Sequence, residues 1–126
     1  TLQQGVDFVL KDFERMFGGE TFVPKIPSMH ITDLATSMAP GLEQKVVGIR
    51  PGEKLHEIMC PQDDSHLTIE FDDHFVIAPS INFNSCGNLF DQNRLGEIGK
   101  AVQQGFEYNS GTNSDFLTVD ELKEYY

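Results

Sequence analysis

Arg50 and Glu53 stand three residues apart in the stretch Gly48-Ile49-Arg50-Pro51-Gly52-Glu53-Lys54-Leu55-His56-Glu57. A guanidinium offers a fixed fork of donors that matches phosphate oxygens two at a time. A carboxylate accepts hydrogen bonds from a sugar diol. In a nucleoside diphosphate the pyrophosphate and ribose hydroxyls are neighbours, so the pair could grip two adjacent parts of one nucleotide. Pro51 lowers the entropy lost on ordering the loop, and Gly52 permits close backbone approach. A plainer reading competes. Glu53 would favour a helix N-terminus, and Arg50 would pair with Glu53 or Glu57 on the surface, worth about 0–1 kcal/mol.

Other chemical signatures are incomplete. Gly96-Glu97-Ile98-Gly99-Lys100 has a phosphate-loop ending, but its glycine spacing is short and Ala101 stands where Ser or Thr must hold the metal. Asp91-Gln92-Asn93 opens like a calcium loop, yet the twelfth position is Val102 instead of a bidentate Glu. His56-Glu57 lacks the second histidine of a zinc-protease helix, since Cys60 occupies that place. No serine sits in a nucleophile elbow, no cysteine has an obvious base beside it, and no glycine-rich strand-turn-helix for a dinucleotide occurs. His66 and His74 are expected to be exposed beside a hairpin. The sequence therefore carries no complete catalytic set.

Charge narrows the partners. The 126 residues hold 9 basic and 20 acidic side chains, a net charge of −11. Such a surface repels phosphate backbones and anionic lipid, which argues against nucleic acid and membrane. An anionic small ligand needs a local positive group, and Arg50 supplies one. Cys60 and Cys86 form neither a metal spacing nor a disulfide framework and fit a reducing compartment. No apolar run approaches the length of a membrane span, and the first residues lack the charged-then-apolar pattern that would read as a signal peptide.

The elements that must position this loop follow from periodicity. Thr1 to Phe17 reads as an amphipathic helix with a Thr1–Gln4 capping box. Its apolar stripe is Leu2, Val6, Val9, Leu10, Phe13, Met16 and Phe17, and Gly18-Gly19 ends it. Thr21 to Ile26 reads as a short strand, with Pro24 at an edge or at the strand's end. His30 to Met38 reads as a helix burying Ile31, Leu34, Ala35 and Met38. Lys45 to Ile49 reads as a buried strand, and Glu53 to Met59 as a short helix with Pro51 near its first turn. His66 to Phe71 and His74 to Pro79 flank Asp72-Asp73 as a hairpin. Ser80 to Gly87 has the texture of a loop, and Asn88 to Gln104 is weakly helical. Thr118 and Glu121 box a last helix, Val119 to Tyr126. The expected class is mixed α/β. Phe8, Val9, Phe13 and Phe75 are expected in the core or on a face that docks on another domain.

Read with its flanks, VVGIRPGEKLHEIM at 46–59 closely resembles a signature of the nucleotide-sugar dehydratases of the extended short-chain dehydrogenase/reductase superfamily. More narrowly, it resembles the inverting UDP-N-acetylglucosamine 4,6-dehydratases of bacterial surface-sugar synthesis, the pseudaminic acid pathway among them. FVPKIPSMHITDLA at 22–35, DDSHLTIEFDDHFVIAP at 63–79 and TLQQGVDFVLKDFERMFGGE at 1–20 agree with the same family. The resemblance is strong over roughly 1–80 and looser to the end, through Phe106-Glu107-Tyr108-Asn109-Ser110 and Asn113 to Leu117.

It implies a small mixed α/β substrate-binding portion of an extended, Rossmann-type enzyme, with a β-hairpin and an irregular helical tail. Residues 1–79 would be the nucleotide-sugar-binding region and 80–126 a C-terminal extension. The N-terminal Rossmann domain, with its glycine fingerprint, Tyr-x-x-x-Lys pair and NADP, is absent from these residues. In the family a hydride leaves C4 of the hexose, water is lost across C5 and C6, and the hydride returns to C6. By the same resemblance Arg50 matches the pyrophosphate arginine and Glu53 the ribose-binding carboxylate. Lys25 and Met29 fall where related enzymes wrap the base, although Lys25 as a solvated strand end and Met29 as a core residue stay open. The expected setting is a cytoplasmic homo-oligomer acting on a UDP-sugar, with these 126 residues inactive alone. A free-standing, non-catalytic nucleotide-sugar-binding or docking module, or an inactive remnant, remain the rival readings.

Overall fold

Thr1 caps the first helix as its spacing to Gln4 requires: its hydroxyl accepts the Gln4 N–H, and the Gln4 side chain reaches back to the Thr1 amino group at 2.7 Å. The structure, a computed structural model, describes residues 1–81 and 90–125. In chain order the elements are α1 (Leu2–Arg15), β1 (Thr21–Pro24), α2 (Ile31–Met38), β2 (Ile58–Cys60), a 3-10 turn (Gln62–Leu67), β3 (Thr68–Glu70), β4 (His74–Ile77), β5 (Lys100–Ala101), β6 (Tyr108–Asn109) and α3 (Val119–Lys123). The mixed α/β class expected from the sequence is the one observed. The chain divides into two units, one of Thr1–Lys25 with Met59–Tyr108 and one of Ile26–Ile58 with Asn109–Tyr126.

The first unit is built on an antiparallel sheet in the order β1-β4-β3-β5. The hairpin forms at Asp72-Asp73, closed by the Phe71 N–H donating to the His74 carbonyl at 2.9 Å. Pro24 lies in the edge strand β1, where its missing donor costs no ladder bond. Period-two alternation sorts the side chains. Phe22, Val76 and Ile69 lie opposite one another and cluster with Phe71 and Phe90. Val23 and Phe75 point the other way and cluster with Cys60, Phe106 and Tyr108.

Helix α1 departs from expectation. It buries Asp12 and Arg15, with Phe8 half-buried one turn earlier, while Leu2, Val6, Val9, Leu10 and Phe13 stay exposed. Residues 8, 12 and 15 share one helical face. Arg15 on that face meets carboxylates from the hairpin turn and from Glu97, and this pairing orients the helix. Of the four residues assigned to core or docking face, Phe75 is core, whereas Val9 and Phe13 are not in the core of the described residues.

In the second unit α2 packs on α3, which buries Leu122. The Thr118–Glu121 capping box is present, and α3 is a short helix ending at Lys123; Tyr126 lies outside the described residues. Ile31, Ala35 and Met38 are exposed and Ser37 is buried instead, so α2 does not bury the face its periodicity suggests.

Three expected elements are absent. Lys45 to Ile49 has no strand and is exposed, Val46 at 89% and Val47 at 86%. A β-branched run becomes a strand by packing against neighbours, and no described strand pairs with it. Glu53 to Met59 is not a helix. Glu53 folds back onto Arg50, and Ile58–Cys60 enters a two-stranded sheet with β6. Between 90 and 104 the expected helix is replaced by turns, a Gln92–Ile98 bridge and β5. There the Asn93 side chain accepts the N–H groups of Leu95 and Glu97 at 3.1 and 3.0 Å, offering the backbone an alternative to helix. Asn88, the expected loop over 82–87 and Cys86 lie outside the described residues. No described helix is long and apolar enough to cross a membrane.

Candidate functional site

Arg50-Pro51-Gly52-Glu53 forms a type II turn. Proline supplies the second position, Gly52 takes φ 85° at the third, and the Glu53 N–H donates to the Arg50 carbonyl at 3.1 Å. The Glu53 carboxylate closes the turn from the other side. It accepts the Arg50 backbone N–H at 2.8 Å and the Arg50 Nε at 2.7 Å. The Arg50 side chain is nevertheless 87% exposed and that of Glu53 40%. Neither terminal nitrogen of Arg50 has a partner among the described residues. The arrangement is an ion pair that leaves half of the guanidinium fork, and spare carboxylate lone pairs, open to a ligand.

The neighbouring expected residues are less available. Met29 is exposed, not packed in a core, and follows Ser28, which bridges to Phe116. His30, next along, stacks on the Phe116 ring at 4.8 Å. Lys25 belongs to the first unit. Its ammonium donates to Glu70 at 2.7 Å and lies 5.0 Å from the centre of the Phe75 ring, so it is engaged within that unit. Arg50 and Glu53 are thus brought together, and Lys25 is held by other partners.

Sequence reasoning missed a second charged centre. Arg15, fully buried, donates through Nε to Glu97 at 2.8 Å and through Nη2 to both Asp73 oxygens at 2.9 and 2.8 Å; Nη1 reaches Asp12 at 3.3 Å. The Asp12–Arg15 spacing was visible, but Asp73 and Glu97 are 58 and 82 residues away and only folding brings them in. Burial opposes the Arg15 charge, but hydrogen bonds to Glu97 and Asp73 more than offset it and raise its pKa. Asp73 is pushed up by burial and pulled further down by Arg15 and His74, ending well below the usual carboxylate range. Hydrogen bonding to Arg15 holds Glu97 low as well. Asp12 is shifted upward, because burial outweighs its bond to Arg15.

His74 contradicts the expectation of an exposed histidine. It is fully buried, stacked on Phe71 at 4.6 Å and flanked by Phe8 and Phe22. Its Nδ1 bonds Asp73 at 2.6 Å, and its buried Nε2 has no partner among the described residues. The reason is positional: residue 74 shares the sheet face of Val76, which is the face α1 covers. Burial lowers its pKa, although Asp73 pulls the other way. Burial also pushes the Cys60 thiol up to about 11, so it is a core side chain rather than a nucleophile.

A family model described as polysaccharide biosynthesis protein matches residues 1–79. The chain belongs to the polysaccharide biosynthesis protein family. It is 56% identical over 124 residues to a UDP-N-acetylglucosamine 4,6-dehydratase (inverting) of Campylobacter jejuni subsp. jejuni serotype O:2, covering 98% of this chain and 37% of that one. A second protein of that name, from serotype O:23/36, is 53% identical over 122 residues, covering 97% of this chain and 36% of its own. The chain therefore spans little more than a third of the length of these relatives. A solved structure titled "X-ray structure of Pen from Bacillus thuringiensis" shares the fold at a TM-score of 0.73 and 23% identity, over 99% of this chain and 36% of that one.

For this polysaccharide biosynthesis protein family member the described residues do not fit a dinucleotide. The four-stranded sheet is antiparallel, and α2 and α3 are preceded by His30 and Thr118 rather than by a glycine-rich turn after a parallel strand. Among the described residues no group of His, Cys, Asp or Glu could hold a metal ion.

Proposed function

We propose that this chain is the nucleotide-sugar-binding portion of an inverting UDP-N-acetylglucosamine 4,6-dehydratase, a cytoplasmic lyase of bacterial surface-glycan synthesis. The observation that carries the reading is the Arg50–Glu53 turn: a half-open guanidinium beside a carboxylate, presented by a chain otherwise so acidic. The identity to two proteins of that name along nearly the whole chain supports it.

Arg50 takes the pyrophosphate through its terminal nitrogens, while Nε stays with Glu53, so the turn need not open. Glu53 accepts the ribose hydroxyls through its remaining lone pairs. The pair fixes the nucleotide and so sets the position of the attached sugar. Met29 lines the base as an exposed apolar side chain. NADP, which supplies the redox chemistry in such enzymes, is held by a Rossmann domain outside these residues, in a homo-oligomeric parent. The 126 residues alone do not turn over substrate.

A chimera tests this. The corresponding segment of the Campylobacter jejuni relative is replaced by this chain, and dehydration of UDP-N-acetylglucosamine and binding of UDP are measured. Both are expected to persist. Arg50→Ala is expected to weaken UDP binding by about 1.5–3 kcal/mol, the scale of a hydrogen bond to a charged group. A folded chimera that binds no UDP, or an Arg50→Ala variant of unchanged affinity, overturns the reading.

A further inference from the structure

The segment Asn109–Leu117, far from Arg50 in sequence, fastens both candidate binding stretches of the second unit. On one side it holds the stretch that leaves the Arg50–Glu53 turn. The Ser110 N–H donates to the Glu57 carbonyl at 2.9 Å, and the Glu57 N–H donates to the Ser110 hydroxyl at 3.0 Å. Gly111 lies flat against His56: a Cβ there would sit 2.6 Å from the imidazole Nδ1. Asn109 shapes the corner by accepting the N–H groups of Gly111 and Thr112 at 2.8 and 2.9 Å.

On the other side the same segment holds residues 26–28. The Asn113 side chain donates to the Ile26 carbonyl at 2.8 Å and to the Ser28 hydroxyl at 3.1 Å. The Ser28 N–H donates to the Asp115 carbonyl at 2.8 Å, and the Leu117 N–H donates to the Ser28 carbonyl at 2.9 Å. Ser28 is itself buried, so its end of the bracket is the better shielded one, while the Asn113–Ile26 and Glu57–Ser110 bonds lie nearer the solvent.

We infer that Ser110, Gly111 and Asn113 are positioning residues for nucleotide binding, fixing the Arg50–Glu53 turn and the Ile26–Met29 stretch in one arrangement. The inference rests on the proposed role of Arg50 and Glu53. Its physical basis is entropic. Apart from the reverse turn itself, 42–57 has no helix or strand, so an unbraced loop would lose its freedom only on binding and weaken affinity accordingly. The bracket removes that freedom beforehand. A side chain at position 111 would have to displace the His56 imidazole. Ser110 contributes a hydroxyl that another hydroxyl residue could replace.

The test is titration of UDP into the chimera, together with kcat and KM for UDP-N-acetylglucosamine. Ser110→Ala and Asn113→Ala are each expected to weaken UDP binding and raise KM about threefold to tenfold, the scale of one intramolecular hydrogen bond, with kcat unchanged. Ser110→Thr is expected to restore affinity. In an Arg50→Ala background the Ser110→Ala effect is expected to shrink to nothing, because there is no grip left to position. Denaturation midpoints, measured for every variant, keep the titrations within the folded range. Unchanged affinity in both single variants, or the same loss with and without Arg50, overturns the inference while leaving the role of Arg50 standing. A wild-type chimera that binds no UDP overturns both.

Discussion

Arg15 and Arg50 place the same guanidinium in opposite settings. Arg15 is enclosed, and all three of its nitrogens are taken by Asp12, Asp73 and Glu97. Arg50 is exposed, and Glu53 takes one nitrogen only. A buried guanidinium with every nitrogen engaged is architecture, since any ligand would have to break bonds that its burial makes indispensable. An exposed one stiffened by a turn has donors to give. The contrast separates two charge pairs that look alike when read as spacings of three along the chain.

The comparison is broken most directly by removing each arginine in turn. Arg15→Met is expected to destabilise the first unit by about 3 kcal/mol, toward the low end for a broken buried pair because Asp73 and Glu97 stay half-solvated. Urea unfolding followed by circular dichroism checks this. Arg50→Met is expected to change the same midpoint by no more than about 0.5–1 kcal/mol, as exposed pairs do. Equal losses at the two positions would remove the distinction.

A smaller effect sharpens the buried side. His74 is held below its ordinary pKa by burial, with Arg15 adding to that and Asp73 and Asp12 opposing it. The unfolded chain therefore takes up this proton first. Stability is full above the ordinary histidine value and falls as pH drops below about 6.5. The unfolding free energy of wild type is expected to slope downward between about pH 6.5 and 5, and that of His74→Gln to be flat there. Below about pH 4 the lowered carboxyls of Asp73 and Glu97 add a further loss as they protonate. A wild-type profile without slope above pH 5 would contradict the buried setting of His74.

Two milder substitutions separate turn and helix contributions. Thr118→Ala removes one side of the α3 capping box and is expected to cost about 1 kcal/mol, read from the thermal midpoint. Glu53→Gln keeps an acceptor but drops the charge. It is expected to weaken UDP binding by less than Arg50→Ala does, and a larger loss would reverse the ranking of the two roles.

Local chemistry was legible in the sequence. Both capping boxes, the Asp72-Asp73 hairpin and the place of Pro24 at a strand's edge or end depend on residues within a few places of one another, and each appears where the pattern puts it. The plainer reading gives Arg50 a surface partner in Glu53 or Glu57, and the structure pairs it with Glu53. Burial was not. The stripe of α1 is apolar by period, yet Phe8, Asp12 and Arg15 face the sheet. Lys45 to Ile49 has strand composition but no neighbour to pair with among the described residues.

The sequence by itself thus determined the mixed α/β class, the family and the Arg50–Glu53 spacing that carries the candidate grip, because capping, turn chemistry and short spacings act through contacts that the chain cannot avoid making. Only the tertiary structure decided which arginine is consumed and which is open. It also decided that His74 is buried, and that Ser110 and Asn113 brace stretches more than fifty residues away. Those outcomes turn on which distant groups arrive at the same place, and a carboxylate or carbonyl supplied from across the fold leaves no mark in the spacing of the residue that it satisfies.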